Sequence, residues 1–396
     1  MATKMTGRMP ILQSDTLSGE DIPQKTSFSK SKTFEIDKLA EIPDTNPMKR
    51  GPKQVTIKEI AAACDVSPST VSLVLNGSQK IKAATRERVM QAAKELDYRP
   101  NEMARSLVSQ KSRCLNVTVP ALNHVFSDVY FGEIISGIYQ EANEAGYKIM
   151  LDIAQESFIG NKEYLNILRN RRADGMLYIA STIEDRFLLE FEDEPYPLMM
   201  VNHYFPDSSL NYLSVDYQQA AKVAAEHLLE LGHRHIGLII GTNTFTGLDF
   251  RDTFLNTCEE RGVEKKHLPW RAVRDWDEQE GYEATGKLLA RHPDLTAIMA
   301  GNDRMAIGAI RYLVGRGLNV PGDISVMGMD DIPSARYTTP GLTTLHMDLF
   351  QLGASSCRIL LELLDGKQES CQTFTQPHLV LRESTGPARL GGTLES

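Results

Sequence analysis

Three short stretches of this 396-residue chain hold side chains that could do chemistry: "AGND" with Asn302 and Asp303, "GMDD" with Asp330 and Asp331, and "HRH" from His233 to His235. Two carboxylates such as Asp303 and Asp330 are the equipment of a glycoside hydrolase. Nothing else in the chain supports catalysis. There is no nucleophile elbow, Walker loop or HExxH helix, and the "HRH" histidines lack the i, i+4 spacing by which two helical imidazoles share a zinc ion. That stretch reads as a structural or surface turn between a helix and a strand. The five cysteines, Cys64, Cys114, Cys258, Cys357 and Cys371, form no CxxC pair. They read as free thiols in a reducing compartment rather than as disulfides or zinc ligands. The expectation is a non-enzyme with no cofactor and no metal.

The clearest local signal lies near the start, in "DVSPSTVSLVLNG". Before it, Thr56-Ile57-Lys58-Glu59 is a capping box, and Ile57, Ile60, Ala61 and Cys64 follow at helical spacing. Asp65-Val66-Ser67 breaks that helix. Ser67 can cap the next one, with Pro68 at its first position, where a missing N–H costs nothing. Val71, Val74 and Leu75 supply its inward face, and Gly77 can take the left-handed stop. A third helix is expected from about Ala84 to Leu96, with Val89, Ala93 and Leu96 inward. Two helices joined by about three residues and closed by a third form a helix-turn-helix.

Charge separates this module from the rest. Residues 48–113 hold 13 Lys/Arg against 6 Asp/Glu, a net of +7, so the remainder of a chain of net charge −9 carries −16. A basic block joined to an acidic body fits one module that touches a polyanion. Residues 1–47, rich in Ser, Thr, Lys, Asp and Pro, read as a disordered extension. Met48 offers an alternative start that would leave 349 residues. The N-terminus lacks an apolar signal-type region and no run of about 18 apolar residues occurs, so a cytoplasmic protein with no membrane partner is expected.

After Cys114 short apolar runs ("LNVTVPAL", "GMLYIAS", "PLMMVNH", "HIGLIIG", "TAIMAGN", "ISVMGMD") alternate with amphipathic helices ("QAAKVAAEHLLELG", "RMAIGAIRYLVGRG"). That alternation implies parallel sheets covered by helices on both faces. Roughly 280 residues of it favour two doubly wound lobes over one sheet.

These pieces together resemble the LacI/GalR family of bacterial transcription regulators, from Val55 to about Thr385. The resemblance rests on "VTIKEIAAACDVSPSTVSLVLNG", "TRERVMQAAKELDYRPNEMARSL", "HLLELGHRHIGLIIG", "AGNDRMAIGAIRYLVGRGLNVPGDISVMGMDD", "PGLTTLHMD" and "LVLRESTG" in that order. It implies an α/β two-lobed, periplasmic-binding-protein-like core behind an all-α headpiece. The expected division is a headpiece over 48–99, a hinge helix and linker over 100–113, a core over 114–390 and a tail over 391–396. The first lobe would take about 114–214 and 347–372, the second about 215–346 and 373–390. The implied partners are double-stranded operator DNA, a small-molecule effector of carbohydrate type, and a second copy of the chain. A twofold dimer suits a pseudo-palindromic site. A sugar-binding receptor without DNA function is the alternative.

The resemblance also implies site residues. The second helix would enter the major groove, with Pro68, Ser69 and Leu73 towards base edges and Ser67, Thr70, Ser72, Asn76 and Thr56 towards the backbone, Tyr98 joining the interface. Leu73 stands where many members carry a polar reader, and a leucine can meet a thymine methyl but cannot pair with guanine. In "RPNEMARSLVSQKS" the family's hinge helix would start near Asn101 and drive Leu107, flanked by Ala104 and Arg105, into the minor groove. Between the lobes, Asn302 and Asp330 follow predicted strands and would bond ligand hydroxyls. Tyr130 and Phe131 either stack on a sugar ring or belong to the core. Asn202 and His203, which end "PLMMVNH", are further candidates. In "TGLDFRDTF" Phe250 occupies the place where many sugar-binding members have Arg, so Arg251 reaches the ligand only through a local shift. Asp303 and Asp331 read as caps.

Overall fold

The structure, a computed structural model, describes residues 55–75, 77–78, 80–98, 111–121 and 125–389. Two compact units divide at Arg99 and Pro100. The extension over 1–47, Asn76, the hinge residues Asn101, Ala104, Arg105 and Leu107, and the tail over 391–396 lie outside the described residues.

The first unit is three helices: α1 (Ile57–Cys64), α2 (Pro68–Leu75) and α3 (Ala83–Glu95). Thr56 donates its backbone N–H to Glu59 Oε2 at 2.7 Å, the reach-back half of the capping box. Asp65 ends α1 in the left-handed region at φ 48°. Ile60, Cys64, Val71, Val74, Val89 and Ala93 meet in one small core. After α2, the Gly77 amide donates to the Val74 carbonyl and that of Ser78 to Leu73, the left-handed stop expected of Gly77 at φ 73°. Leu96 departs from expectation and is exposed. The helix ends one residue earlier, Asp97 turns left-handed at φ 47°, and the Tyr98 amide donates back to Ala93 at 2.8 Å. Tyr98, not Leu96, is therefore the residue that covers the core edge.

The second unit holds two six-stranded sheets. The first lobe runs β1 (Cys114–Pro120), α4 (Val129–Glu144), β2 (Lys148–Ala154), α5 (Glu156–Gly160), α6 (Glu163–Arg169), β3 (Gly175–Ile179), β4 (Leu198–Val201) and β5 (Asn211–Val215). The second runs α7 (Tyr217–Glu230), β6 (Ile236–Gly241), α8 (Phe245–Glu260), β7 (Trp270–Val273), α9 (Glu278–Arg291), β8 (Ala297–Ala300), α10 (Asp303–Gly315), β9 (Ser325–Asp330) and β10 (Thr343–His346). Then α11 (Leu349–Leu364) and β11 (Gln372–Thr375) return to the first lobe, and β12 (His378–Val380) closes the second. Strand orders are β11-β5-β4-β3-β1-β2 and β12-β10-β9-β8-β6-β7. Every pairing is parallel except β10 with β12, so the second sheet carries one antiparallel edge strand that the alternating pattern did not announce. Because β11 pairs with β5 as far as Thr375, the last crossing falls at Gln376 and Pro377, a few residues later than expected.

The central strands β3, β4, β6, β8 and β9 are buried along their whole length, which is why they read as continuous apolar runs rather than alternating ones. Six helices that follow strand ends open on a side-chain cap: Asp128 for α4, Asp216 for α7, Thr244 for α8, Asp277 for α9, Asn302 for α10 and Asp348 for α11. Caps satisfy the first amides of a helix. Here they also line polar groups along the carboxyl ends of both sheets.

Candidate functional sites: an exposed helix and an interlobe cleft

In the first unit the exposed face of α2 is built by its cap. Ser67 Oγ accepts from the Thr70 amide at 3.1 Å and lies 2.9 Å from the Thr70 hydroxyl, so both side chains fix the start of the helix. Pro68 is the first helical residue and Ser69 and Leu73 stand exposed on one face, with Ser72 half-buried beside them. Leu73 is 43% exposed although apolar. Thr56 is exposed at the head of α1, while Tyr98 is only half-exposed against the core. Arg86 is committed to the loop after α2, donating to the carbonyls of Ser78 at 3.3 Å and Ile81 at 3.2 Å.

In the second unit a cleft of about 840 Å³, mouth included, opens between the lobes at the carboxyl ends of the strands. Such a crevice is where doubly wound sheets hold ligands. Of the residues singled out from the sequence, Tyr130, Phe131, His203, Asn302 and Asp330 line it. Tyr130 and Phe131 pack edge to face with centroids 5.1 Å apart. They are core and wall at once, being half-buried and buried respectively.

Asn202 behaves differently from expectation. It sits behind the wall in the left-handed region at φ 59°. Its amide donates to the Tyr130 hydroxyl at 2.8 Å and the Tyr217 hydroxyl at 2.9 Å, and its carbonyl accepts from the Val215 amide at 3.0 Å. Its side-chain amide N–H groups hold two tyrosines and its oxygen holds the Val215 backbone, so it is a positioning residue. His203, next in the chain, is buried and pushed down to about 4 by that burial, hence neutral. Its Nδ1 is buried and has no hydrogen-bond partner among the described residues.

Asp330 ends β9 at φ 108°, a backbone setting rare for a side-chain-bearing residue. Burial first, then the charges of Asp303 and Asp128, hold its carboxyl well above the usual range. Both effects favour the protonated carboxyl, the form that can donate as well as accept. Asn302 caps α10 by accepting from the Met305 amide at 2.8 Å and donates to the Trp276 carbonyl at 2.9 Å. The cap of α10 is thus Asn302 and not Asp303. Asp303 is fully buried, accepts from the Ile332 amide at 2.8 Å and bonds the Thr344 hydroxyl at 2.5 Å, and burial pushes it up to about 7. Asp331 is not a turn cap either: it bonds Arg382 at 2.5 Å and His346 at 3.1 Å.

Arg251 does not reach the cleft. It bonds its neighbour Asp252 at 2.7 Å and its guanidinium lies 4.9 Å from the Trp270 ring centroid. Arg274 and Arg304 are the arginines that line the cleft. Sequence reasoning also missed Trp276 and Arg304. Trp276 follows β7 directly and the glycines Gly241 and Gly301 leave room for its ring, since a Cβ at either would collide with their neighbours. Arg304 of the second lobe bonds Asp128 of the first at 2.7 Å and Glu278 at 2.7 Å, an ion pair across the cleft. Tyr204 bonds Asp249 and the Ile183 amide donates to the Asn243 carbonyl at 2.9 Å, also between lobes. His233 is structural, bonding Thr296, Ser325 and Gly386 at 2.9–3.1 Å.

Two family models match this chain: bacterial regulatory proteins of the lacI family over residues 56–101, and the periplasmic binding protein-like domain over residues 225–385. The HTH-type transcriptional repressor PurR of Erwinia tasmaniensis is 34% identical over 344 residues, covering 84% of this chain and 98% of that protein. A lac repressor dimer bound to operator and the anti-inducer ONPF is similar in structure, with TM-score 0.76, 26% identity and coverage of 84% of this chain and 100% of the other. The regulator CelR in complex with cellobiose matches with TM-score 0.63, 26% identity and the same coverage. A helix-turn-helix with its reading face exposed, a two-lobed cleft lined for a small molecule, and full-length likeness to a repressor converge: the chain belongs to the LacI family, DNA-binding transcription regulators that respond to a small-molecule effector.

Proposed function

We propose that this protein is a cytoplasmic repressor that binds a pseudo-palindromic operator as a homodimer and answers to a carbohydrate held between its lobes. The observation that carries the effector class is the mixture of cleft groups: the Trp276 and Tyr130 rings beside the polar side chains of His203, Asn302 and Asp330. Aromatic faces suit the C–H faces of a sugar, and polar side chains suit hydroxyls. Among the similar structures, one holds cellobiose, which supports the same class. In the headpiece, Ser69, Pro68 and Leu73 would face base edges, and Thr56, Ser67, Thr70, Ser72, Asn76 and Tyr98 the backbone. Leu107, with Asn101, Ala104 and Arg105 around it, would wedge the minor groove. For the dimer, the exposed Tyr139 shares a shallow groove on the first lobe with Ile135, Ile149 and Phe350, rimmed by Ser136, Gln140, Asn143 and Glu144.

The test is a titration of the purified full chain with a panel of mono- and disaccharides by calorimetry, followed by retardation of an operator fragment selected from genomic DNA. One sugar that binds and changes operator affinity supports the reading. A response to nucleobases or amino acids with none to sugars would replace the effector class while leaving the regulator intact. Operator affinity should fall steeply with salt, since the basic headpiece displaces counterions at each phosphate contact.

A further inference from the structure

At the other end of the second lobe's sheet, away from the cleft, His235, His267 and Asp294 converge. His235 directly precedes β6, His267 closes the turn over Lys265–His267 before β7, and Asp294 stands before β8. We propose that these three side chains bind a zinc-type divalent transition-metal ion, with water completing its coordination.

One donor atom from each lies within 4.8 Å of the others. His235 Nδ1 already bonds Asp294 Oδ2, and His267 Nδ1 is 4.0 Å from the same oxygen. A tetrahedral zinc ion with ordinary bond lengths sets neighbouring donors about 3.4 Å apart, so closing on an ion needs movements of about 1 Å, within the reach of side-chain rotation. The backbones are already fixed. The Thr296 amide donates to the His235 carbonyl at 2.9 Å, and the His267 amide to that of Glu264 at 2.8 Å.

A simple hydrogen bond accounts for His235 and Asp294 but not for the third member. The two imidazoles lie with centroids 4.0 Å apart at 40°, an arrangement that brings both rings to the one Asp294 carboxylate. Two imidazoles and a carboxylate select zinc, cobalt, nickel or copper over magnesium and calcium, which prefer oxygen alone. Side-chain exposures of 32%, 29% and 42% leave an entry path and space for water. Among the described residues this is the one cluster of three such groups. The separations of 32 and 27 residues between ligands are too long for a spacing motif, so the site is invisible to sequence scanning. An ion here would tie together the starts of three strands whose other ends carry Trp276, Gly301 and the loop to Asn243.

The full chain, stripped with a chelator, is titrated with Zn²⁺ against a chromophoric competitor and with Co²⁺ for visible absorption. One Zn²⁺ per chain with a Kd on the order of 1 µM or tighter is expected, with Co²⁺ bands of low-symmetry, low-coordinate type. His267→Gln and Asp294→Asn should each weaken binding at least about tenfold, while the unfolding midpoint of the metal-free protein stays close to that of the parent. His267→Cys should restore binding and add a sulfur-to-cobalt charge-transfer band, a result that a merely structural role for His267 would not give. Binding that survives both His267→Gln and Asp294→Asn, or the absence of binding up to about 100 µM Zn²⁺, overturns the proposal.

Discussion

Asp303→Asn should make the protein more stable at neutral pH, although it removes a buried carboxylate with two hydrogen bonds. Asp303 is fully buried, and burial pushes its carboxyl up to about 7, against the hydrogen bonds from Thr344 and the Ile332 amide. In an unfolded chain an aspartate titrates near 3.9, so the displacement is about 3 units, or on the order of 4 kcal/mol at about 1.4 kcal/mol per unit. The sign follows from which state holds the proton. Between pH 4 and 7 the folded protein keeps a proton that the unfolded chain has lost, so stability is highest below pH 4 and falls as pH rises to 7, with the full cost reached above. Asparagine copies the protonated acid: its oxygen accepts from Ile332 and its amide donates to the Thr344 hydroxyl, which turns to receive it. Urea unfolding of both proteins at pH 4, 5, 6, 7 and 8 should therefore show curves that diverge with pH, the variant gaining about 3–4 kcal/mol at pH 8 relative to pH 4. The Asp303 charge also raises Asp330, so the variant's residual slope should shrink as well. A variant that is less stable by the same amount at every pH would mean that Asp303 is ionised and held by its hydrogen bonds, and would refute the argument.

Ser67→Ala removes the cap of α2 and should cost about 1 kcal/mol of headpiece stability by thermal unfolding, with operator binding weakened in step. Trp276→Ala empties the stacking wall and should raise the effector Kd by about tenfold or more in calorimetry. Arg304→Ala breaks the ion pair to Asp128 between the lobes. The pair is partly solvated, so an effect of about 1 kcal/mol is expected, read as a several-fold loss of effector affinity and a larger radius of gyration by small-angle scattering.

Much of this architecture is legible in the sequence because it is encoded locally. The caps, the Pro68 start and the Gly77 stop of the headpiece depend on residues within one turn of each other, and the buried strands announce themselves as apolar runs. At the cleft, reasoning failed where distant segments converge; at Leu96 it failed because of a backbone turn one residue later. Leu96 has the right spacing for a core position, but Asp97 turns the chain so that Tyr98 covers the edge instead. Asn202 has the right place for a ligand contact, but two tyrosines from residues 130 and 217 take its amide. Arg251 is near the cleft in sequence yet faces Trp270, while Arg274 and Arg304, separated from it by whole elements, are the cations at the cleft. Side-chain type and strand position predict that a residue can reach the crevice. Which partner claims it is settled by packing.

The same convergence gives the cleft a mechanical connection to the crossings between lobes. Asn202 of the first lobe bonds Tyr217, the first residue of α7 after the first crossing, and the same amide holds Tyr130 in the cleft wall. Asp331, adjacent to Asp330, bonds His346, the last residue of β10 before the second crossing. A ligand that bonds Asp330 and packs on Tyr130 thus touches neighbours of two of the three crossing segments. An effector shifts a conformational equilibrium only by its difference in affinity between the two states. In the proposed effector site, contacts that span both lobes, from Tyr130 on one side to Asp330 and Trp276 on the other, are the ones whose geometry would change if the lobes moved, so they would supply that difference. A small molecule held by one lobe alone would bind without shifting the equilibrium.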